Sequence, residues 1–381
     1  MKTYHIASLL VIAAGIAHGN MAKADEAECS VAKWDARMAV KGAIVDTNGV
    51  KWIDGKYLPI EGREFDDVEH YYDRLPAGVT TNVNAGVRAM KHNTSGMLFR
   101  FRTDSKNLTF KWKPYNRWLS MDHMPSTGVS GIDVYRFDEA KKRWLYVDTG
   151  RITNPDGGEL TIKWVPNTAC IVNLPLYNGI REFSLGIDKD ASITSAGKRS
   201  SGVEKPVVFY GTSITHGGCA SRPGLGFVNI VGRLLDVPVT GLGFSGSGLM
   251  EFEMSEHLAR IDASCYVLDC LWNVHNTDNY EPFIRNLRAK RPTTPIIMAE
   301  RCDVFMGPKH KFDVETRALY EKLVAEGWKN LIYLPKDEMY SGDFEGTVDK
   351  VHPNDIGMMS VAKAFSKAVA QALKLKHKPR D

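Results

Sequence analysis

The sequence has no long apolar run that could form a transmembrane helix. After the N-terminal region, no apolar stretch approaches the roughly 18 residues that such a helix requires, so we expect no membrane-spanning segment. Residues 6–17 are apolar but too short, and they follow Lys2 and precede the small-residue sequence at 22–24. This order is typical of a bacterial signal peptide. We therefore predict that residues 1–24 are removed and that the protein is exported, as a periplasmic or secreted protein.

The sequence also has no block of like charge. Its formal net charge is +4 over 381 residues, and loss of Lys2 and Lys23 with the signal peptide would leave about +2. Proteins that bind nucleic acid through its phosphates usually carry a clear excess of basic residues. Nothing in the sequence supports nucleic acid as a partner.

Metal-binding and phosphate-binding patterns are absent as well. The six cysteines lack CxxC-type spacing, and the glycines of 217–226 lack the lysine and spacing of a phosphate-binding loop. We therefore expect neither a metal nor a cofactor. An exported protein could form disulfides, but the apolar surroundings of Cys265, Cys270 and Cys302 favour buried free thiols.

The first half of the chain contains short alternating stretches. Phe99 and Phe101 alternate with arginines, and Phe110 and Trp112 alternate with threonine and lysine. Similar stretches follow up to residue 187, separated by Gly, Pro, Asn and Asp. This pattern predicts an antiparallel β-sandwich, of jelly-roll type, over residues 25–190. The small, polar and charged residues of 191–205 predict a linker between domains.

The second half, residues 206–381, alternates apolar strand-like stretches with helical patterns. The strand-like stretches are 207–210, 237–244, 265–271, 295–300 and 330–334. Five such strand–helix units predict a parallel sheet with helices on both faces, a flavodoxin-like α/β domain. In sheets of this kind, ligands bind at the carboxyl ends of the strands. The loops at those ends are therefore the place to seek functional residues.

Four of these loops carry reactive or hydrogen-bonding residues. Ser213 follows the first strand, glycines at 243–248 follow the second, and Asn273 follows the third. Asp349 and His352 precede the final helical pattern. Each has an ordinary structural explanation by itself: Ser213 could cap a helix, the glycines and Asn273 could form turns, and the histidine could be structural.

Together, the same residues supply the parts of a hydrolytic site. A serine needs an imidazole to take its proton, and the imidazole needs a carboxylate that fixes its tautomer. A tetrahedral oxyanion needs preorganised donors, each worth roughly 3–4 kcal/mol. We therefore predict that Ser213 is the nucleophile, His352 the base and Asp349 the group that orients it.

These segments resemble the sequence blocks of the SGNH hydrolases, the GDSL-like esterases and lipases. The matches are the nucleophile block at 211–215, the glycine block at 243–248, Asn273, and the D-x-x-H-P block at 349–353. In the first half, "GIDVY" at 131–135 is similar to the GxDLY motif of a β-sandwich domain that precedes some of these hydrolases.

The resemblance implies a five-stranded parallel sheet and attack by Ser213 on an ester carbonyl. It also implies an oxyanion hole made by the backbone N–H groups of Ser213 and Gly246 and by the side-chain amide of Asn273. The third block departs from the usual G-x-N-D, because Trp272 precedes Asn273 and Val274 follows it. We hypothesise that Trp272 narrows the acyl pocket and favours a small acyl group such as acetyl.

Other residues have two possible explanations. His216 lies close to the nucleophile loop and could contact substrate or belong to an ordinary loop. Asp133 could reach across a domain interface toward the catalytic rim or only pack there. Three tryptophans of the first half could stack on sugar rings or fill the sandwich core: Trp112, Trp118 and Trp144.

The sequence therefore predicts a serine esterase that hydrolyses O-acyl esters. The favoured substrate is an acetyl group on a polysaccharide or oligosaccharide. The alternatives are a lipase, phospholipase or thioesterase that acts on longer acyl chains, and a carbohydrate-binding homologue without activity. The sequence leaves the oligomeric state open.

Overall fold

The computed structural model describes residues 43–79, 83–304, 307–342 and 344–376. The predicted signal peptide and Cys29 lie outside these residues. No helix within the described ranges combines the length and the apolar character needed to cross a bilayer. The other five cysteines, at 170, 219, 265, 270 and 302, are buried and unpaired.

The N-terminal domain contains two antiparallel sheets. Its strands are β1 (Ile44–Val45), β2 (Val50–Asp54), β3 (Ile60–Glu61), β4 (Leu98–Thr103), β5 (Asn107–Pro114), β6 (Ile132–Asp138), β7 (Arg143–Gly150), β8 (Gly158–Lys163), β9 (Thr168–Asn173), β10 (Ile180–Asp188) and β11 (Ile193–Ser195). One sheet has the order β1-β2-β10-β5-β8 and the other β11-β4-β9-β6-β7, with β3 paired to β4. Two short helices interrupt the strands, α1 (Ala85–Met90) and α2 (Ser126–Val129).

The alternating apolar residues of these strands form one core between the two sheets. Phe99 of β4 and Phe183 of β10 lie in different sheets, and their ring centroids are 4.5 Å apart. Trp112 is buried in the same core, and Trp144 is buried in a smaller cluster. The predicted β-sandwich is therefore confirmed, and both of these tryptophans are buried. A jelly-roll order of the strands stays a prediction.

The predicted linker is partly wrong. Residues 193–195 form β11, which pairs antiparallel with β4. Ile193 is buried in the sandwich core, so the burial of one apolar side chain outweighs the polar composition of the surrounding segment. The sandwich sheet thus extends to residue 195.

The C-terminal domain is built on a parallel sheet. Its strands are β12 (Val207–Gly211), β13 (Val239–Gly243), β14 (Cys265–Asp269), β15 (Ile296–Ala299) and β16 (Leu331–Leu334). They have the order β13-β12-β14-β15-β16. The helices are α3 (Ser213–His216), α4 (Phe227–Leu235), α5 (Phe252–Arg260), α6 (Tyr280–Lys290), α7 (Lys311–Ala325) and α8 (Asp355–Ala372). The predicted flavodoxin-like sheet is confirmed, and β12 lies between the strands whose following loops contain Gly246 and Asn273.

A segment between β3 and β4 leaves the sandwich and packs on the parallel sheet. Phe65, Leu75, Val83 and Val87 of this segment are buried in one core with apolar residues of β13, α5 and α6. The sequence pattern gives no sign of this crossing. The two domains therefore share a hydrophobic core beside the strand ends that carry the predicted site.

Candidate active site

The nucleophile turn follows directly from the end of β12. Thr212 has extended backbone, and its hydroxyl accepts a hydrogen bond from the N–H of Ile214 at 3.2 Å. Thr212 is thus the cap of α3, so the alternative that Ser213 serves as the cap is wrong. Ser213 is the first helical residue and is 6% exposed. Its backbone N–H has no acceptor within the helix, as is general for a first turn.

Ser213, His352 and Asp349 form a continuous hydrogen-bonded chain. Ser213 Oγ lies 2.8 Å from His352 Nε2, and His352 Nδ1 lies 2.7 Å from Asp349 Oδ2. The other carboxylate oxygen, Oδ1, accepts the backbone N–H groups of His352 at 2.7 Å and Val351 at 3.0 Å. The carboxylate therefore fixes both the ring and the backbone of the histidine.

The environment of Asp349 keeps its carboxyl group ionised. Partial burial raises the pKa of this carboxyl, but the hydrogen bonds from the His352 backbone and ring and from Val351 lower it to about 2. Asp349 thus stabilises the folded loop above the ordinary aspartate pKa, near pH 4, and this contribution is lost as the pH falls through about 2. The imidazole faces a negative charge at every neutral or mildly acidic pH.

A short hairpin-like loop holds these two side chains beside α8. Thr347 and Pro353 form an isolated β-bridge, and the N–H of Val348 donates to the carbonyl of His352 at 2.9 Å. Asn354 then caps α8 by accepting the N–H groups of Ile356 and Gly357. The position of His352 is therefore set by the start of a long buried helix. Asp343, another acidic residue of this loop, lies outside the described residues.

The glycine turn after β13 lies against the nucleophile turn. The N–H of Phe244 donates to the carbonyl of Gly211 at 3.0 Å, and the Phe244 carbonyl accepts the N–H groups of Ser247 and Gly248. Gly246 has a φ of +65° and an exposed backbone, a conformation that favours glycine. A Cβ on Gly243 would lie 2.1 Å from the His216 nitrogen, so only glycine permits this approach of the two turns.

Asn273 lies at the third strand end and contacts the same glycine turn. Its side-chain Nδ2 donates to the carbonyl of Phe244 at 3.2 Å. An amide nitrogen carries two hydrogens, so one donor holds the turn and the other is available to a ligand. The structure thus brings Ser213, Gly246 and Asn273 to one edge of the sheet, as the sequence predicts.

Asp269 supports the nucleophile turn from below, and sequence analysis missed it. Its carbonyl accepts the N–H of Thr212 at 3.2 Å, and its carboxylate Oδ2 accepts the hydroxyl of Thr215 at 2.7 Å. Complete burial raises the pKa of Asp269 to about 7, although the bond from Thr215 opposes this shift. The available signal was an acidic residue at the end of a buried apolar strand.

Arg74 supports the glycine turn from the opposite side. Its Nη1 donates to the carbonyls of Gly241 at 3.1 Å and Gly243 at 2.9 Å, and its Nη2 donates to Met90. The guanidinium also stacks over Phe244, 4.7 Å from the ring centroid. Burial lowers the pKa of Arg74 to about 9. A residue of the N-terminal domain thus holds the backbone of the strand that leads into the turn containing Gly246.

The N-terminal domain also contributes Tyr177 to the site. Its hydroxyl donates to the carbonyl of Ser213 at 3.2 Å, and its ring stacks on His216 at a centroid distance of 4.2 Å. Burial raises the pKa of Tyr177 well above its ordinary value. The tyrosine therefore remains a neutral donor to the nucleophile turn.

His216 and Asp133, for which substrate contact was one of two explanations, lie in the interior. His216 is completely buried beneath Tyr177, and burial lowers its pKa well below the ordinary histidine value. Asp133 is also completely buried; its Oδ2 accepts Arg222 Nη1 at 2.7 Å and the N–H of Gly224 at 2.8 Å. Asp133 does cross the domain interface, but there it anchors the loop between α3 and α4. Neither side chain can reach a ligand at the surface.

Trp272 and Cys219 are placed beside the site in different ways. The indole Nε1 of Trp272 donates to the carbonyl of Cys302 at 2.8 Å, and Arg301 lies 4.7 Å from the ring centroid. The indole is thus fixed next to Asn273 on the side of β15.

Burial raises the pKa of Cys219 to about 11, so its thiol is no competing nucleophile at neutral pH.

One cluster among the described residues has side chains of the metal-ligand type. Potential ligand atoms of Glu69, Asp73 and His92 lie within 4.8 Å of one another. Asp73 Oδ1 is already 2.8 Å from His92 Nδ1, and the ammonium of Lys91 lies 2.8 Å from Glu69. A lysine in contact with the cluster opposes a bound cation, so these residues fit an ion-pair network.

Comparison with known proteins agrees with this geometry. The model of the GDSL-like lipase/acylhydrolase family matches residues 204–370. A second model, the GxDLY N-terminus of SGNH-hydrolase-type esterases, matches residues 50–193. The C-terminal domain belongs to the GDSL-like hydrolase family, and the N-terminal domain is of the GxDLY type that precedes SGNH-hydrolase-type esterases.

Solved structures share the two-domain architecture of this GDSL-like hydrolase. A protein of Bacteroides ovatus described as a GDSL-like lipase is 27% identical, with a TM-score of 0.76 over 86% of this chain and 99% of that one. The salicylyl-acyltransferase of a tetracycline biosynthetic pathway is 16% identical, with a TM-score of 0.66 over 87% and 100%. No curated protein sequence matches the chain significantly.

A carbohydrate-active enzyme has the same fold as this GDSL-like hydrolase. The family two carbohydrate esterase of Clostridium thermocellum, in complex with cellohexaose, is 11% identical. Its TM-score is 0.53 over 74% of this chain and 93% of that one. At this identity, the similarity shows the fold alone.

Proposed function

We propose that the protein is a serine esterase in which Ser213, His352 and Asp349 form the catalytic triad. The observation that carries this proposal is the unbroken hydrogen-bonded chain from Ser213 Oγ through the imidazole to Asp349. His352 Nε2 takes the proton of Ser213 as Oγ bonds to the ester carbonyl carbon. The N–H groups of Ser213 and Gly246 and the amide of Asn273 stabilise the resulting oxyanion.

The second half of the reaction regenerates the serine. His352 returns the proton to the leaving alcohol as the ester C–O bond breaks, which leaves an acyl group on Ser213. Water then attacks this acyl-enzyme while His352 accepts a proton from the water. The carboxylic acid leaves, and Ser213 regains its hydrogen. Asp349 stays ionised throughout and stabilises the imidazolium that forms twice.

The proposed substrate is an O-acetyl ester of a polysaccharide or oligosaccharide. Three observations support it: the signal-peptide pattern, which would place the enzyme where such polymers occur; the fold shared with a carbohydrate esterase that binds cellohexaose; and the cleft beside the glycine turn. Polar side chains contribute to that cleft, among them Asn93, Asn116 and Ser245. An inactive binding protein would not need a triad in hydrogen-bonding geometry.

A substrate panel tests this function. The enzyme is assayed with p-nitrophenyl acetate, butyrate and octanoate, and the released p-nitrophenol is measured by absorbance. It is also assayed with acetylated xylan and acetylated mannan, and the released acetate is measured. We expect hydrolysis of p-nitrophenyl acetate and of at least one glycan, with octanoate the poorest ester. A preference for octanoate would support the lipase alternative and contradict the carbohydrate proposal.

The pH dependence should show a single titration on the acid side. As the pH falls, Asp349 stays ionised until the pH approaches about 2, so this carboxylate adds no step to the profile of kcat/KM at mildly acidic pH. The slope of log kcat/KM against pH should therefore not exceed about one on the acid side. The profile is measured with p-nitrophenyl acetate from about pH 4 to pH 9, where the protein must also remain folded by circular dichroism. A slope of two would mean that a second essential group titrates in this range, and Asp269 beneath the nucleophile turn, with a pKa of about 7, is the candidate.

Trp272 should limit the length of the acyl group. Its indole is fixed beside Asn273 by the bond to Cys302, so Trp272→Ala should open space next to the acyl carbonyl. We expect the butyrate-to-acetate ratio of kcat/KM to rise about tenfold. Trp272→Phe is the matched control and should change the ratio less. An unchanged chain-length profile in Trp272→Ala would refute this role.

A further inference from the structure

A cleft of about 610 Å³ opens between the two domains beside the glycine turn. The N-terminal domain supplies most of its wall, including Asn93, Asn116, Trp118 and Tyr177, and the catalytic domain supplies Ser245. This volume lies within the usual range for small-molecule sites, about 300–1,000 Å³. We propose that this cleft binds the sugar ring that carries the ester, with Trp118 as its stacking platform. The inference rests on the proposed esterase function and adds the location and chemistry of the leaving-group subsite.

Trp118 combines an exposed ring with a fixed backbone. Its side chain is 46% exposed, whereas its carbonyl accepts a hydrogen bond from the Asn178 side chain at 3.0 Å. The same buried amide binds the carbonyl of Asn116 and the hydroxyl of Ser130. The bond from Asn178 fixes the backbone at Trp118, and the residue is exposed enough for its indole to meet a ligand. Its flat apolar face fits the C–H face of a pyranose ring.

The polar groups of the cleft fit the hydroxyls of such a ring. Asn93 and Asn116 each carry a donor and an acceptor on one side chain, and both line the cleft near the indole. Asn93 is held in place because its Nδ2 donates to the carbonyl of Tyr177 at 2.6 Å. Apolar side chains of Ala89, Met90 and Met121 also line the cleft, so an aromatic platform lies beside both amides and apolar groups, a mixture that fits the C–H face and the hydroxyls of a sugar ring.

Residues that line the cleft are neighbours of the reacting groups. Its Tyr177 donates to the carbonyl of Ser213 at 3.2 Å, and its Ser245 immediately precedes Gly246. Its Met121 forms a β-bridge with Met124, and between them the ring of His123 lies 6.1 Å from that of His352. The loop from Trp118 to Met124 therefore connects the platform with the imidazole that protonates the leaving alcohol.

This arrangement assigns the two parts of the ester to different domains. The acyl carbonyl lies at the glycine turn and Asn273, on the side of Trp272. The alcohol, a sugar, extends toward the N-terminal domain and its Trp118. Recognition of the sugar thus depends on a residue that takes no part in bond making or breaking.

The test compares Trp118→Ala with the wild type on two acetyl esters of different size. Acetylated xylo-oligosaccharides have a leaving group that fills the cleft, whereas the ethanol of ethyl acetate is too small to reach the indole. Released acetate is measured for both. We expect kcat/KM for the oligosaccharides to fall about tenfold or more, mainly through KM, and kcat/KM for ethyl acetate to stay within about twofold.

Two control variants make the comparison specific. Trp118→Phe keeps an aromatic face and should retain most of the oligosaccharide activity. Phe252→Ala removes a similarly exposed aromatic residue, 48% exposed, that does not line this cleft, and it should change neither activity. Melting temperatures of all variants establish that they are folded.

The possible results distinguish failure of the proposed sugar subsite from failure of the proposed esterase function. Equal oligosaccharide activity in Trp118→Ala and wild type would overturn the subsite and leave the esterase function standing. Equal losses on both esters would also overturn it, because they would show a structural role for Trp118. A wild-type enzyme that hydrolyses ethyl acetate but none of the oligosaccharides would overturn the carbohydrate proposal itself.

Discussion

Replacing Ser213 by alanine should lower kcat for p-nitrophenyl acetate by about 10⁴- to 10⁶-fold. The hydroxyl is the only group of this residue that can form the acyl-enzyme, and its Oγ lies 2.8 Å from the proposed base. The folded state should change little, because the substitution removes one polar atom at the surface of the turn. Stopped assays with purified protein measure the loss, and mass spectrometry of trapped wild-type enzyme detects an acetyl group on Ser213.

A substitution at the neighbouring residue, Thr212, is the matched control for Ser213→Ala. Thr212→Ser keeps the hydroxyl that caps α3 and should retain activity within about tenfold, since a good cap is preserved. A double variant, Ser213→Ala with His352→Ala, should be no slower than Ser213→Ala alone, because members of a triad act as one unit. Substantial activity in Ser213→Ala would contradict the proposed mechanism.

Arg74→Ala should destabilise the protein by about 3 to 5 kcal/mol. The variant loses the bonds from the guanidinium to Gly241, Gly243 and Met90, and the buried carbonyls of Gly241 and Gly243 lose their side-chain donor. It also leaves a cavity beside Phe244. Urea unfolding at constant pH measures the free energy. Where the variant is folded, we expect kcat to fall as well, because the arginine positions the glycine turn that contains Gly246.

The control for this prediction is an arginine at the surface. Arg117 is 77% exposed and pairs with Asp156 at 3.2 Å, so Arg117→Ala should change the free energy of unfolding by less than about 1 kcal/mol. If Arg74→Ala unfolds within about 1 kcal/mol of the wild type, the buried arginine does not hold the two domains together.

The fold and the reacting residues could be predicted because their signals are local. Buried strands appear as apolar stretches, and the residue after each stretch lies at the carboxyl edge of the sheet. This rule places Ser213, the glycines at 243–248 and Asn273 at that edge, and the resemblance to the SGNH hydrolases supplies the proposed roles of Gly246 and Asn273. Asp349 and His352 are three residues apart, so no long-range placement was required to bring them together.

The supporting residues could not be predicted because their partners are distant in the sequence or are backbone groups, which are the same in every residue. Arg74 binds backbone carbonyls, which every residue carries, at positions up to 169 residues away. Tyr177 likewise binds the carbonyl of Ser213, and it also covers His216. A histidine at a strand end is polar in the sequence, and only the tertiary stacking of the tyrosine decides that it is buried.

The segment that crosses from the sandwich to the parallel sheet also has a consequence for synthesis on the ribosome. Arg74 and Gly241 are separated by 167 residues, and a growing chain is extended by about 5–20 residues per second. Arg74 and the apolar residues around it are therefore made about 10 to 30 s before the strand that receives them. Until that strand is present, this segment has no parallel sheet on which to pack. A gene fragment that ends at the domain boundary would leave it in that state permanently.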